Sequence, residues 1–411
     1  MKFGGGVLKT ADAVRHFAQI VRKLETPVVI VISAFNSITN RLEEVVKDYV
    51  SQNADAAAQK LIALAEHHRT IASELDGNNA FQTYIEEAFR VLQTPYNGDF
   101  DRVYDAVVSA GELMSAAIVS SFLNSAGVLN EFVDIRNCIR TDSVFREANI
   151  LWNDTQASVK KLFSQTKIYI TQGFIGRDAA GNTTTLGREG SDFTASVLAY
   201  CLAAESVHFW KEVRGIYSAD PTKMSDFEFL PILSYREAVE QVYYGAKILH
   251  PKTIKPLQNK HIPVHVRPFG EPDFTGTLIT ELPADSPDHY PNTPIYIVKE
   301  NQILISVSPK DFSFIAEDNL GRIFSLLAQY RIKVNLMENS AISFSVCVDN
   351  NKHKVQPFVE YLKRDFDVLH NSDLELVTIR HYDDAAIARM TARKQILLRQ
   401  TSRKTIRFVL K

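Results

Sequence analysis

The chain has 411 residues, 45% of them hydrophobic, with 46 Lys+Arg against 48 Asp+Glu. That length suffices for two or three domains with full cores, and the near-balanced charge steers the protein towards neither nucleic acid nor a membrane surface. Three scattered cysteines, Cys138, Cys201 and Cys347, argue for a reducing cytoplasm and against zinc, and no run is read as a membrane span or a signal segment.

The chain opens on Lys2-Phe3-Gly4-Gly5-Gly6. A helical pattern follows over 12–24, then a buried-strand run over 28–32 that ends in the polar loop Ser33-Ala34-Phe35-Asn36-Ser37-Ile38-Thr39-Asn40. Strand–loop–helix alternation of this kind predicts an α/β fold with a mostly parallel sheet, its ligands at the loops after the strands. Residues 41–130 are almost wholly helical in period, with charged positions expected on a solvated face; Glu112, in Gly111-Glu112-Leu113, is set apart as a candidate. Strands are expected at 167–171, 206–213 and 263–266, with helices containing 238–242 and 245–257. A Pro-rich passage over 283–294 reads as a linker. Beyond it, strands at 303–307, 334–337, 342–348 and 374–379 and helices at 319–330 and 355–363 give a β-α-β-β-α-β order, the ferredoxin-like plan. A shorter second unit follows: the shared strand 374–379, a helical piece at 385–390 and a hairpin from 395–399 to 405–410.

The richest segment is Thr183-Thr184-Thr185-Leu186-Gly187-Arg188-Glu189-Gly190-Ser191-Asp192, where an extended stretch gives way to an apolar helix. Ser191 or Asp192 is expected at the N-cap, where free N–H groups and the helix dipole suit a phosphate. An ordinary helix cap explains a Gly-Ser-Asp equally well. Here Arg188 adds a cation for a carboxylate and Asp192 an anion for a metal or an ammonium. Lys2 beside three glycines suits a cation held over phosphates. Lys247 lies in a small-residue apolar stretch and asks for an anionic partner, although a snorkelling lysine fits too. His250, followed by Pro251, reads as structural. In Trp210-Lys211-Glu212-Val213-Arg214-Gly215-Ile216-Tyr217-Ser218-Ala219-Asp220-Pro221, Tyr217 suits a purine face and Asp220 a ribose, or the segment is simply a turn with a packed tyrosine. No nucleophile–base pair, metal-ligand cluster, Walker A loop or protein-kinase motif stands out. Phosphoryl transfer to a carboxylate needs none of these, because the acceptor is already ionised and the protein has only to align two anions and neutralise them.

These segments, together with Gly173-Phe174-Ile175-Gly176, Gly245-Ala246-Lys247-Ile248-Leu249-His250-Pro251 and Gly276-Thr277-Leu278-Ile279, resemble the aspartokinases in the family's order along essentially the whole chain. The resemblance implies the amino-acid-kinase three-layer sandwich over 1–282, a linker over 283–294 and an ACT regulatory region over 295–411 with one full and one abbreviated unit. It implies transfer of the ATP γ-phosphoryl group, with Mg²⁺, to the side-chain carboxylate of L-aspartate. That reaction is the first step towards lysine, threonine and methionine. On this resemblance Lys2, Asp192 and Lys247 are catalytic, and Ser33, Thr39, Glu112, Arg188 and Ser191 bind aspartate. ATP meets Lys2, Gly4, Gly5, Lys211, Glu212, Tyr217, Asp220 and Lys247. An amino-acid effector meets Phe314, Asn319, Leu320, Val334, Asn335, Asn339 and Ser340, and a homodimer or higher oligomer is implied. Where lysine-sensitive relatives carry acidic side chains the chain has Asn335 and Ala341, so strong lysine inhibition is not expected. The departures fall on the nucleotide side: only Met1 precedes Lys2, Gly6-Val7 replaces Thr-Ser, Lys211-Glu212 replaces Thr-Asp, and Thr222 replaces a basic residue. A kinase-like amino-acid sensor and a kinase for another acidic amino acid are the alternatives.

Overall fold

A computed structural model describes residues 1–24, 27–75, 79–96, 98–246, 249–282, 293–311 and 313–411. Its contacts divide the chain into two compact units, one built from Met1–Ile216, Leu230–Val239 and Ile248–Ser286, the other from Tyr217–Phe229, Glu240–Lys247 and Pro287–Lys411.

In chain order the elements up to residue 202 are β1 (Lys2–Phe3), α1 (Ala11–Arg22), β2 (Val28–Ile32), α2 (Ile38–Val50), α3 (Ala54–Glu74), α4 (Gln82–Gln93), α5 (Phe100–Ser125), β3 (Glu131–Val133), α6 (Trp152–Leu162), β4 (Ile168–Gln172), β5 (Ile175–Arg177), β6 (Thr183–Thr185) and α7 (Gly190–Leu202). There follow β7 (Val207–Lys211), β8 (Ile216–Tyr217), β9 (Phe229–Leu230), β10 (Ile232–Ser234), α8 (Tyr235–Tyr244), α9 (Pro251–Gln258), β11 (Val264–Pro268) and β12 (Thr277–Thr280).

The first unit carries an eight-stranded sheet in the order β10-β12-β11-β7-β1-β2-β4-β3. Its strands run parallel except at the β11–β12 pair. The Val-Val-Ile-Val-Ile run of β2 suits a central strand covered on both faces. Although β1 has two residues, it lies mid-sheet: Lys2 stands opposite Val31 and Phe209, Phe3 opposite Ile32 and Trp210. Phe3 is fully buried and stacks on Trp210 at 5.4 Å between ring centroids, edge-on to Phe17 at 4.7 Å. Burying one such ring contributes about 1.5–3 kcal/mol, so packing anchors the short strand.

Helix α5 corrects the expectation that no segment is apolar and long enough to span a bilayer: by length and composition it qualifies. It is apolar all round because it is the core helix, with Val107, Met114, Ala116 and Val119 fully buried. The solvated-face expectation for 41–130 also fails on α5, where Asp105 is fully buried.

The second unit contains β13 (Ile295–Pro309), α10 (Glu317–Gln329), β14 (Val334–Asn339), β15 (Phe344–Asp349), α11 (Lys352–Leu362), β16 (Phe366–Arg380), α12 (Asp384–Thr391), β17 (Ile396–Thr401) and β18 (Thr405–Leu410). They form one six-stranded sheet, β14-β15-β13-β16-β18-β17. The first four strands with α10 and α11 give the ferredoxin-like arrangement. The strand expected at 374–379 is the second half of a 15-residue strand, β16, which pairs along β13 from Ile295 to Pro309 with a shift around Gln302. The sequence reading missed 366–373 because Asp367, His370, Asn371 and Asp373 break the apolar pattern.

Candidate functional site

The loops after β1, β2 and β7 and the start of α7 bring charged side chains together at the C-terminal ends of parallel strands. After β1 the backbone turns at once, the Gly4 carbonyl accepting from the N–H groups of Val7 and Leu8. A Cβ at Gly5 would lie 2.2 Å from the Ala34 carbonyl oxygen, so only glycine lets the β1 and β2 loops meet. A Cβ at Gly173 would meet Ser191 Cα at 2.6 Å, and the loop after β4 is thereby pressed on the start of α7.

The N-cap of α7 is Glu189, in the left-handed region at φ 54°, not Ser191 or Asp192. Those two occupy the first turn of the helix, and both are buried. Asp192 is 3% exposed; its Oδ1 lies 2.7 Å from Lys2 Nζ, and its Oδ2 accepts from Lys211 Nζ at 2.8 Å. Burial alone would raise this carboxyl, but Lys2 and Lys211 outweigh it and hold it down at about 2.

Beside it, Glu112 projects from α5 and accepts from Ser191 Oγ at 3.2 Å. Burial pushes Glu112 up to about 7, against the opposing pull of the Ala34 N–H, Lys2 and Ser191. Two neighbouring carboxyls are thus driven in opposite directions, as at sites that sort charges. Ser33 is buried at the end of β2, its N–H donating to the Phe3 carbonyl, and Thr39 lies in the first turn of α2. Arg188 is exposed, and its guanidinium has no partner among the described residues.

The structure brings Lys2, Gly4, Gly5, Ser33, Glu112, Ser191, Asp192 and Lys211 into one region. Glu212 points to Lys9, with which it forms an ion pair. Lys247 and residues 283–292 lie outside the described residues. His250 caps α9, its Nδ1 accepting from the Lys252 N–H at 3.2 Å. Tyr217 and Asp220 belong to the second unit. There the Tyr217 ring meets Phe227 and Phe229 edge-on, and Asp220 closes a turn by accepting from the N–H and hydroxyl of Thr222. Among the effector candidates, Phe314 is 73% exposed, Asn319 and Leu320 lie half-buried on α10, and Val334, Asn335 and Asn339 lie on β14 with Ser340 just beyond. Asn335 is buried. Its amide is engaged by Lys299 Nζ at 2.9 Å, Gln302 Oε1 at 2.8 Å and Asp349 Oδ1 at 2.9 Å.

Two residues absent from the sequence reading hold the segment that leads to Arg188. Asp105 accepts from the Thr185 N–H and hydroxyl, each at 2.7 Å, and from the Arg146 N–H. Burial raises its carboxyl to about 6 against those donors. Lys252 donates to the Leu186 carbonyl at 2.6 Å. Asp105 precedes Glu112 by two helical turns and so shares its face of α5, a spacing that could have flagged it.

Fold and site together define a class: residues 1–268 match the amino acid kinase family. The lysine-sensitive aspartokinase 3 of Escherichia coli is 31% identical over 358 residues, covering 85% of this chain and 77% of that protein. Aspartokinase 1, chloroplastic, of Arabidopsis thaliana is 30% identical over 371 residues, 86% of this chain and 63% of its own length. The chain spans only 41% of the plant bifunctional aspartokinase/homoserine dehydrogenase 2. Among solved structures, E. coli aspartokinase III in complex with aspartate and ADP superposes with a TM-score of 0.78 at 26% identity, covering 100% of this chain and 95% of that one. Its complex with lysine and aspartate gives 0.78 at 25%, covering 99% and 94%. The chain belongs to the amino acid kinase family, and within it to the aspartokinases.

Proposed function

We propose that the chain is an aspartate kinase, transferring the ATP γ-phosphoryl group to the side-chain carboxylate of L-aspartate to give 4-phospho-L-aspartate, in the cytoplasm. The observation that carries this reading is the pairing of the buried Asp192 carboxylate with Lys2 and Lys211 beside Glu112. It joins a cationic place for phosphates to an anionic place for an ammonium. The named relatives support it, as does the likeness to an E. coli enzyme solved with aspartate and ADP.

In the proposed reaction an aspartate carboxylate oxygen attacks the γ-phosphorus while the bond to the β,γ-bridging oxygen breaks. ADP leaves with that electron pair, and no proton need move. Arg188, exposed and without a partner among the described residues, takes the α-carboxylate in a bidentate grip. Glu112 takes the α-ammonium; Ser33, Thr39 and Ser191 orient the reacting carboxylate. Lys2, with Lys247, Gly4 and Gly5, neutralises charge on the phosphates as it moves to the leaving oxygen. Glu212, Tyr217 and Asp220 are assigned to the nucleotide.

Among the described residues no three His, Cys, Asp or Glu side chains form a metal cluster, and Asp192 is engaged by two lysines. That donor set fits Mg²⁺ arriving as Mg–ATP, held by phosphates and water. The tail, from 295, is assigned to an amino-acid effector and to pairing across a dimer. The deciding experiment traps 4-phosphoaspartate as its hydroxamate. Product that requires both aspartate and Mg–ATP is expected; ADP formed equally fast without aspartate refutes the reading. Replacing aspartate by glutamate or N-acetylaspartate in the same assay separates the other acidic substrates, and the absence of any Mg–ATP thermal shift would favour a sensor.

A further inference from the structure

Lys211 was expected to flank the nucleotide, yet its ammonium reaches the buried carboxylate at the centre of the site. Each oxygen of Asp192 takes one ammonium, Lys2 at 2.7 Å and Lys211 at 2.8 Å. Asp192 can balance only one of the two ammoniums, and Glu112, the other carboxyl of the cluster, is the group assigned to the substrate's ammonium. The neighbouring Glu212 does not cancel the excess, because it is paired with Lys9. The two lysines differ in access: the Lys2 side chain is 8% exposed and that of Lys211 27%. Lys2 is therefore the packed member of the pair, and Lys211 keeps an open side from which an anion can approach.

The backbone fixes this placement. Lys211 ends β7, one position beyond Trp210, which stands opposite Phe3 in the sheet. The Phe269 N–H donates to the Lys211 carbonyl at 2.8 Å. A side chain so anchored at the C-terminal end of a parallel strand loses little freedom on meeting a ligand.

We propose that Lys211 is a second phosphate-neutralising cation of this site, sharing Asp192 with Lys2 and contributing to turnover. The proposal rests on the aspartate-kinase reading for its substrate and on the Asp192 geometry for its place. Asp192 orients both ammoniums. When the phosphates arrive, Lys211 meets developing negative charge on the transferred group or the leaving oxygen, and Asp192 remains paired with Lys2. A solely structural ion pair would hold β7 against α7 and leave turnover alone.

The test compares wild type, Lys211→Met and Lys211→Arg in the hydroxamate assay, with thermal midpoints and calorimetric titration by Mg–ADP. Lys211→Met is expected to lower kcat roughly 10–100-fold, the scale of one lost electrostatic donor discounted for partial exposure. The KM for aspartate should stay within about twofold, since uniform binding of that substrate is untouched. Lys211→Arg, which keeps the cation, should recover most of the loss. A Lys211→Met enzyme with wild-type kcat overturns the proposal, as does a loss that Arg does not restore and that follows a fall in thermal midpoint. If wild type itself makes no hydroxamate, the aspartate reading fails separately. Lys211 is then decided by Mg–ADP: roughly tenfold weaker binding in Lys211→Met supports it, and unchanged binding overturns it.

Discussion

Each unit of the chain buries a polar cluster, and the two are built on opposite plans. In the tail, Lys299 donates to Asn335, Asn335 donates to Gln302 and Asp349, and Gln302 donates to Asp349 and to the Glu300 carbonyl. Every amide there is occupied, as a network that stiffens a sheet requires. In the first unit the cluster is unfinished. It holds one carboxyl raised by burial and another lowered by two lysines, while Arg188, just before α7, has no partner among the described residues. The saturated network has spent its polarity on the fold, and the unfinished one keeps polarity for a ligand.

The sharpest way to break that contrast is one substitution in each cluster. Asp192→Asn removes the charge that aligns two lysines, and kcat is expected to fall on the order of 10³-fold, measured as hydroxamate formed per second. Asn335→Ala leaves buried groups of the tail unpaired and should cost about 2–4 kcal/mol in urea-unfolding free energy, with kcat within about twofold. If the two variants exchange phenotypes, the division of labour is wrong. Next in size is Arg188→Ala. A lost bidentate grip on a carboxylate costs about 2–3 kcal/mol, so KM for aspartate should rise roughly 30–150-fold while KM for ATP holds. Equal changes in both constants would show that Arg188 does not read aspartate.

How much of this the sequence could reveal follows from the range of each interaction. Helical period, β-branched runs and glycine turns are local, so β2, α1, α5 and the tail's order were legible. Strand 366–373 was not, because its exposed polar residues hide a pairing that only β13 supplies. At the site, Lys2, Glu112 and Asp192 stood out through their neighbours in the chain. The Lys211–Asp192 bond did not, since it depends on β7 lying beside β1 and on Glu189 rather than Ser191 beginning α7. Asp105 was lost for a similar reason: a charged residue in a helical run reads as surface until β6 is seen to bury it.

The carboxyls give the contrast a pH dependence. Glu112 must be ionised to hold an ammonium, yet burial sets its carboxyl near 7. Below that pH the KM for aspartate should rise, approaching about tenfold per unit, with kcat changing less. The same shift carries a stability sign. A carboxyl raised in the folded state contributes stability below its unfolded value near 4.5 and loses it as pH rises through about 7. Asp192, lowered to about 2, does the reverse, contributing above its ordinary 3.8 and fading as acid approaches 2. Bound aspartate should therefore raise the thermal midpoint more at pH 8 than at pH 6. A KM flat across that interval would show that Glu112 is not the ammonium's partner.

The smallest effect is expected in the tail, where an effector would have to compete with bonds already made. Asn335 spends its carbonyl oxygen on Lys299, so the chain's own ammonium stands where an added lysine would need an acceptor. Asp349, the nearest carboxylate, is taken by Gln302 and Asn335 and is held below the usual carboxylate range, burial being outweighed by those amides and Lys299. A ligand shifts a conformational equilibrium only by its difference in affinity between the states. With Asn335 and Asp349 already engaged in this network, millimolar lysine should change the rate of hydroxamate formation by less than about twofold. Threonine and methionine, which do not need a second ammonium partner, are the comparison arms. Inhibition by lysine of tenfold or more would show that this network opens, and that the tail's polarity is as available as that of the site around Asp192.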